Sequence, residues 1–201
     1  MHQLRPLPDE PPPLHGRALD NLTYIRSTME RARSFTAVSG WGLVVMGAIG
    51  LVAAAVAARQ TDPRRLLLTW GVAATLAVAG SGAAMAHKAS RTGESLRSGP
   101  ARKFLFGVAP PLLAAGPLTV MLYRAGLTGE LPALWLLLYG AAAITGGAYS
   151  VSALPLMGLC FMGAGAVAFV APPAWGPWLM AGGFGLLHLA FGVVVARRHG
   201  G

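Results

Sequence analysis

From Ala37 to the C-terminus the chain is dominated by six long apolar runs. A bilayer core about 30 Å thick needs roughly 20 helical residues to cross it, and the runs are close to that length. They do not alternate apolar and polar residues, as strands of a membrane β-barrel would. The pattern predicts an all-α polytopic membrane bundle of about six transmembrane helices, at residues 37–58, 66–86, 104–123, 132–149, 154–171 and 178–196.

The residues before the first run have a different pattern. Residues 1–13 contain five prolines and no apolar stretch, so we expect a disordered tail and no signal peptide. Residues 14–36 predict an amphipathic helix that lies in the membrane interface or packs on the cytoplasmic end of the bundle. Its apolar stripe recurs at helical spacing, at Leu14, Ala18, Leu22, Ile25, Met29 and Ala32.

The charge pattern supports the membrane interpretation and predicts an orientation. Only 11% of residues are charged, against about 25% in soluble domains, and the net charge is +9. Twelve Lys and Arg residues lie on the side of the N-terminal arm, the second loop and the C-terminal tail, against four on the other side. The more basic side is expected to be cytoplasmic, with both termini there. Because the basic residues lie between apolar runs, we expect the lipid bilayer, and not nucleic acid, as their environment.

Eight of these basic residues form a predicted contact surface for a protein partner or the membrane. They are Arg17, Arg26, Arg31, Arg33, Lys88, Arg91, Arg102 and Lys103. A homo-oligomer is left open by the sequence.

Four polar residues within or beside the spans are candidate ligand-binding residues. His188 is the ionisable residue nearest the middle of a span, where such groups are costly. It is expected either to serve a ligand or to be a neutral structural imidazole, bonded to Thr145, to Tyr149 or to a carbonyl freed by a proline. Thr145, Tyr149 and Ser152 would share one helical face and either line a pocket or join helices. The prolines of the third span, Pro110, Pro111 and Pro117, should kink it and free such carbonyls.

The sequence contains no recognisable catalytic constellation. Every carboxylate lies outside the predicted spans, and Cys160 is the only cysteine. We therefore expect no catalytic residues, no metal site and no cofactor. Haem in particular would need a second histidine at the depth of His188, and His87 is poorly placed for that. The sequence favours a protein that is not an enzyme without deciding the point.

Several short segments are similar to an uncharacterised family of bacterial multi-pass membrane proteins with six helices. The resemblance extends from about Leu14 to the end, and its motifs are ALDNLTYIRSTMER, FTAVSGWG, LLLYG, PLMGLCFM, AWG and ARRHGG. It implies a bacterial protein of the cytoplasmic membrane and adds no mechanism.

Three functions follow in order of preference. The first is a non-catalytic membrane module that binds a protein partner or a small apolar ligand. The second is a small-molecule transporter or permease-like carrier that uses the proline-rich third span, and the third is an intramembrane enzyme.

Overall fold

The computed structural model describes residues 19–25, 28–29 and 34–199, and within them all regular structure is helical. The chain divides into two units, residues 1–33 and 34–201. In the first unit, residues 19–25 and 28–29 are helical and the stripe residues Leu22 and Ile25 are exposed. The predicted tail at 1–13 and the surface residues Arg17, Arg26, Arg31 and Arg33 lie outside the described residues.

The second unit is a bundle of helices that we number α1 to α6. The bounds are α1 Gly40–Ala57, α2 Pro63–Thr92, α3 Gly99–Arg124, α4 Leu131–Gly147, α5 Ala153–Val170 and α6 Gly176–His199. Short 3-10 turns at Thr128–Glu130 and Pro173–Trp175 precede α4 and α6, and α6 contains a π-helical stretch at Ala181–Leu187. The six predicted runs therefore each correspond to one helix.

Five segments are long and apolar enough to cross a membrane, which supports a multi-pass membrane protein. They are α1, α2, α3, α5 and the stretch Pro173–His199 that contains α6. Helix α4 has 17 residues and is shorter than the others. The predicted limits were too narrow for α2 and α3, because both helices continue past their apolar runs into polar residues.

Local sequence signals explain where several helices begin and end. The side chains of Ser39, Asp62 and Ser98 each accept a hydrogen bond from a backbone N–H in the first turn of the helix that follows. Gly93 ends α2 with a φ of 67°, in the left-handed region that glycine adopts without a steric penalty.

Glycines allow the central helices to approach closely. Helix α1 packs against α2 and α6, while α4 packs against α3 and α5. A Cβ built on Gly158 of α5 would lie 2.6 Å from the Gly140 carbonyl oxygen of α4, and one on Gly40 of α1 would meet the Gly192 carbonyl oxygen of α6 at the same distance. Such contacts between small residues are the usual way in which membrane helices pack without large side chains between them.

Residues 34–39, which we call the entry segment, belong to no helix or strand and are mostly buried. This corrects the end of the predicted helix at 14–36, of which residues 34–36 are not helical, and the predicted start of the first span at residue 37. The backbone N–H of Phe35 donates to the Tyr149 carbonyl at 2.8 Å, and the Ser150 hydroxyl donates to the Phe35 carbonyl at 2.6 Å. Glu94 accepts from both the N–H and the hydroxyl of Thr36. Both backbone groups of Phe35 and the N–H of Thr36 are thus paired with a side chain or a loop carbonyl.

Lys88 is buried, which corrects its prediction as a surface residue. Its ammonium donates to the Val38 carbonyl at 3.0 Å and to the His199 carbonyl at 2.8 Å. It therefore joins α2 to the entry segment and to the last residue of α6. Together with the Glu94 and Tyr149 contacts, this bond brings the C-terminal ends of α2, α4 and α6 to one end of the bundle.

Candidate functional site

A groove of about 710 Å³ runs along the contact between α3 and α4, and we call it the α3–α4 groove. Its size is within the range of small-molecule sites. Phe106 and Tyr149 are exposed at 69% and 45%, so the groove is open along one side. It is lined by Lys103, Phe106, Gly107, Pro110, Pro111, Ile144, Thr145, Ala148 and Tyr149.

A proline of α3 leaves one backbone carbonyl in the groove without its usual helical donor, and a side chain of α4 replaces that donor. Pro111 has no N–H, so the Gly107 carbonyl loses its usual partner four residues later in the helix. The Thr145 hydroxyl lies 2.7 Å from that carbonyl oxygen and donates to it from α4. The same hydroxyl is 2.8 Å from the Ala141 carbonyl of its own helix, but its single proton serves one acceptor at a time. Thr145 thus joins two helices at the groove.

Close backbone contact sets the floor of the groove. A Cβ added to Gly107 would lie 2.7 Å from the Cα of Gly146 and 2.7 Å from the Thr145 carbonyl oxygen. A Cβ on Gly146 would meet a methyl group of Val108 closer still. Because neither glycine carries a side chain, α3 and α4 touch here and the larger residues around them form the walls.

One end of the groove is polar. The Lys103 ammonium lies 5.8 Å from the centre of the Tyr149 ring, within the range of a cation–π contact. In the part of the chain that the structure describes, no carboxylate lies within ion-pair distance of Lys103. The groove therefore has an apolar body and a single cationic end.

His188 belongs to a separate, closed site. It is 1% exposed, and its Nε2 lies 2.6 Å from the Tyr139 hydroxyl while its Nδ1 lies 3.1 Å from the Phe184 carbonyl oxygen. Since a carbonyl can only accept, the Nδ1 atom carries a proton and donates it. In the neutral ring Nε2 then accepts from Tyr139, so both ring nitrogens are satisfied.

Aromatic rings complete the surroundings of His188. The Phe161 ring lies 5.1 Å from the imidazole, and the Phe184 ring stacks on it at 6.1 Å. The π-helical stretch passes beside this cluster, where a Cβ on Gly183 would lie 2.4 Å from a methyl group of Leu136. Dense packing and complete hydrogen bonding agree with a structural role for His188.

No family model, curated protein or solved structure matches this chain.

The structure separates the four candidate ligand-binding residues. Thr145 and Tyr149 line the α3–α4 groove, Ser152 is exposed and does not line it, and His188 is sealed among aromatic rings. Of the predicted contact surface, Arg91, Arg102 and Lys103 are exposed.

Sequence reasoning did not identify Tyr139 as the partner of His188. The two residues lie 49 positions apart on α4 and α6, so no local pattern relates them. The only available signal was that a buried imidazole requires a hydroxyl or carbonyl partner. Thr145 and Tyr149 satisfy the same requirement, so both were predicted as partners of His188.

Proposed function

We propose that this chain is a non-catalytic multi-pass protein of a bacterial cytoplasmic membrane that binds a small apolar ligand in the α3–α4 groove. The observation that carries the proposal is the apolar groove itself, whose one internal hydroxyl, Thr145, is engaged by a neighbouring helix. A groove without uncommitted internal donors suits an apolar occupant, since a polar one would lose its hydrogen bonds with water. The bacterial assignment rests on the sequence resemblance.

We infer that all six helices cross the membrane and that the end carrying Lys88 and His199 is cytoplasmic. Contacts between the entry segment, α2, α4 and α6 bring their ends together there. Seven described Lys and Arg residues belong to that end: Lys88, Arg91, Arg97, Arg102, Lys103, Arg197 and Arg198. The opposite end has four, at Arg59, Arg64, Arg65 and Arg124. The excess of basic residues supports the orientation.

We place a transporter second because His188, the ionisable residue best situated for coupling, is sealed by Tyr139 and Phe184. A protein partner would meet the exposed residues Arg91, Arg97 and Arg102 of the cytoplasmic end. We prefer a ligand-binding protein to a transporter or a partner-binding protein, because the α3–α4 groove offers a defined site for a ligand.

Photolabelling tests the groove. The purified protein in neutral detergent micelles is exposed to a trace of phosphatidylcholine with a diazirine in one acyl chain, and labelled peptides are mapped by mass spectrometry. We expect labelling at Phe106–Pro111 and Thr145–Tyr149 to exceed labelling at Phe169 and Val170, which are exposed and do not line this groove. Ala148→Trp should reduce groove labelling about tenfold, since displacing two methylenes costs about 1.6 kcal/mol.

The control is Ala114→Trp, which adds the same side chain to an exposed position of α3 outside the groove. If Ala148→Trp impairs folding, Phe106→Ala replaces it, because it removes a wall that is already exposed. Equal labelling of the groove and of Phe169 and Val170, or no effect of either groove variant, would show that the groove is ordinary lipid-facing surface.

A further inference from the structure

We propose that the occupant of the α3–α4 groove is an anionic phospholipid, with an acyl chain between Phe106 and Pro111 and its headgroup phosphate on Lys103 and Tyr149. This inference rests on the proposed function, with the acyl chain as the apolar part that the groove binds, and it adds the chemical class of the headgroup. It assigns a role to the polar end of the groove, which an apolar ligand alone would not use.

The Lys103 ammonium is available to an anion. It is exposed and contacts the face of the Tyr149 ring, and no described carboxylate pairs with it. The Tyr149 hydroxyl has no hydrogen-bond partner among residues 34–199 and can donate to a phosphate oxygen. One ammonium and one hydroxyl at the same end of the groove form a small phosphate-binding pair.

The dimensions of the groove match an acyl chain that enters from the headgroup region. Pro111 follows Lys103 by eight residues, which is about 12 Å along a helix. The predicted third span begins at Phe104, so Lys103 would lie at the level of the lipid phosphates and Pro111 within the hydrocarbon. A headgroup on Lys103 would therefore direct its chain along the apolar walls.

The walls favour a lipid over a peptide. A peptide in the groove would bury N–H and C=O groups against Phe106, Pro110 and Ile144, which offer no hydrogen bonds. The Thr145 hydroxyl is already used by the Gly107 carbonyl. An acyl chain has no such groups to satisfy, so desolvation does not oppose its binding.

The positive end favours an anionic over a zwitterionic headgroup. A choline group beside Lys103 would place like charges together, whereas the net negative charge of an anionic lipid would be attracted to the Lys103 ammonium. A single basic residue near the membrane surface changes affinity for anionic lipid about fivefold.

The test compares two lipids in the full-length protein. Phosphatidylglycerol and phosphatidylcholine with the same diazirine-bearing chain compete at equal trace concentration in neutral micelles, and groove labelling is measured for each. We expect about a fivefold preference for phosphatidylglycerol in the wild type. Lys103→Gln should abolish the preference and Lys103→Arg should retain it. Arg97→Gln removes an exposed charge from the same loop outside the groove and should leave the preference unchanged.

Equal labelling by both lipids in the wild type would overturn the headgroup assignment, as would a preference that survives Lys103→Gln. A loss of preference in Arg97→Gln as large as that in Lys103→Gln would also overturn it, because general surface charge would then be the cause. Failure of the proposed function would give a different result, because Ala148→Trp would then reduce the labelling of neither lipid. If Ala148→Trp blocks both lipids while they label equally, the proposed function stands and only the anionic assignment fails.

Discussion

The buried pair Tyr139 and His188 illustrates how single residues stabilise this bundle. Their 2.6 Å hydrogen bond joins α4 to α6 within a cluster of aromatic rings. His188→Phe would leave the Tyr139 hydroxyl unpaired, and an unpaired buried polar group costs about 1–3 kcal/mol. We expect this loss in the free energy of unfolding, measured in detergent with a chemical denaturant.

Two variants separate the hydrogen bond from the packing. His188→Gln keeps a donor and an acceptor, so it should destabilise less than His188→Phe. In a Tyr139→Phe background no hydroxyl is left unpaired, so His188→Phe should cost less than it does alone. Strict additivity of the two substitutions would contradict a stabilising Tyr139–His188 bond.

Thr145 provides a second prediction, because the Gly107 carbonyl needs its hydroxyl only as long as Pro111 supplies no N–H. Thr145→Val keeps the shape of the side chain but leaves the Gly107 carbonyl unpaired, so it should cost about 1–3 kcal/mol. Pro111→Ala restores an N–H that can donate to this carbonyl within α3. In that background Thr145→Val should cost less than about 1 kcal/mol.

Denaturant unfolding of the four proteins in this cycle measures the coupling between Thr145 and Pro111. Thr145→Ser keeps the hydroxyl and should stay close to the wild type. An equal cost of Thr145→Val in both backgrounds would show that the hydroxyl does not act through the Gly107 carbonyl.

At the scale of elements, the contact between α3 and α4 depends on Gly107. An added Cβ would lie 2.7 Å from backbone atoms of α4, which cannot move as a flexible side chain does. Gly107→Ala should therefore separate the helices and destabilise the protein by about 1–3 kcal/mol. It should also lower photolabelling of the groove, since the walls are carried by these two helices.

Gly82→Ala is the matched control for Gly107→Ala, because Gly82 lies inside α2, is not followed by a proline, and an added Cβ there meets nothing within 4 Å. Alanine has the higher helix propensity, so this control should be neutral or stabilising by up to about 1 kcal/mol. Equal effects of the two substitutions would show that close approach of α3 and α4 is not the reason for a glycine at 107.

The positions of the helices were largely predictable, and the entry segment was not. Each predicted span corresponds to one helix because a run of apolar residues is visible in the sequence itself. Residues 34–36 were included in the amphipathic helix, but the backbone of Phe35 pairs instead with Tyr149 and Ser150, and the Thr36 N–H pairs with Glu94. These partners are 58 or more residues away, so no local periodicity could indicate them.

At the scale of the whole molecule, the prediction is that six crossings leave both termini in the cytoplasm. Reporters active only in the cytoplasm should be active at Ser95, at Val151 and after the C-terminus, and silent at Gln60, Gly126 and Pro172. Helix α4, with 17 residues, is the decisive element, because its failure to cross would invert every later position. A silent C-terminal reporter would contradict the topology.

The sequence by itself determined the all-helical membrane architecture, because the length and apolarity of a helix depend on neighbouring residues along the chain. It also supplied the charge bias on which the proposed orientation rests. Only the tertiary structure decided which polar groups meet. It paired His188 with Tyr139, gave Thr145 the carbonyl freed by Pro111, buried Lys88 and left Lys103 at the end of the groove. The physical reason is that a buried donor needs an acceptor, but any helix can provide one, and the choice depends on how the helices pack.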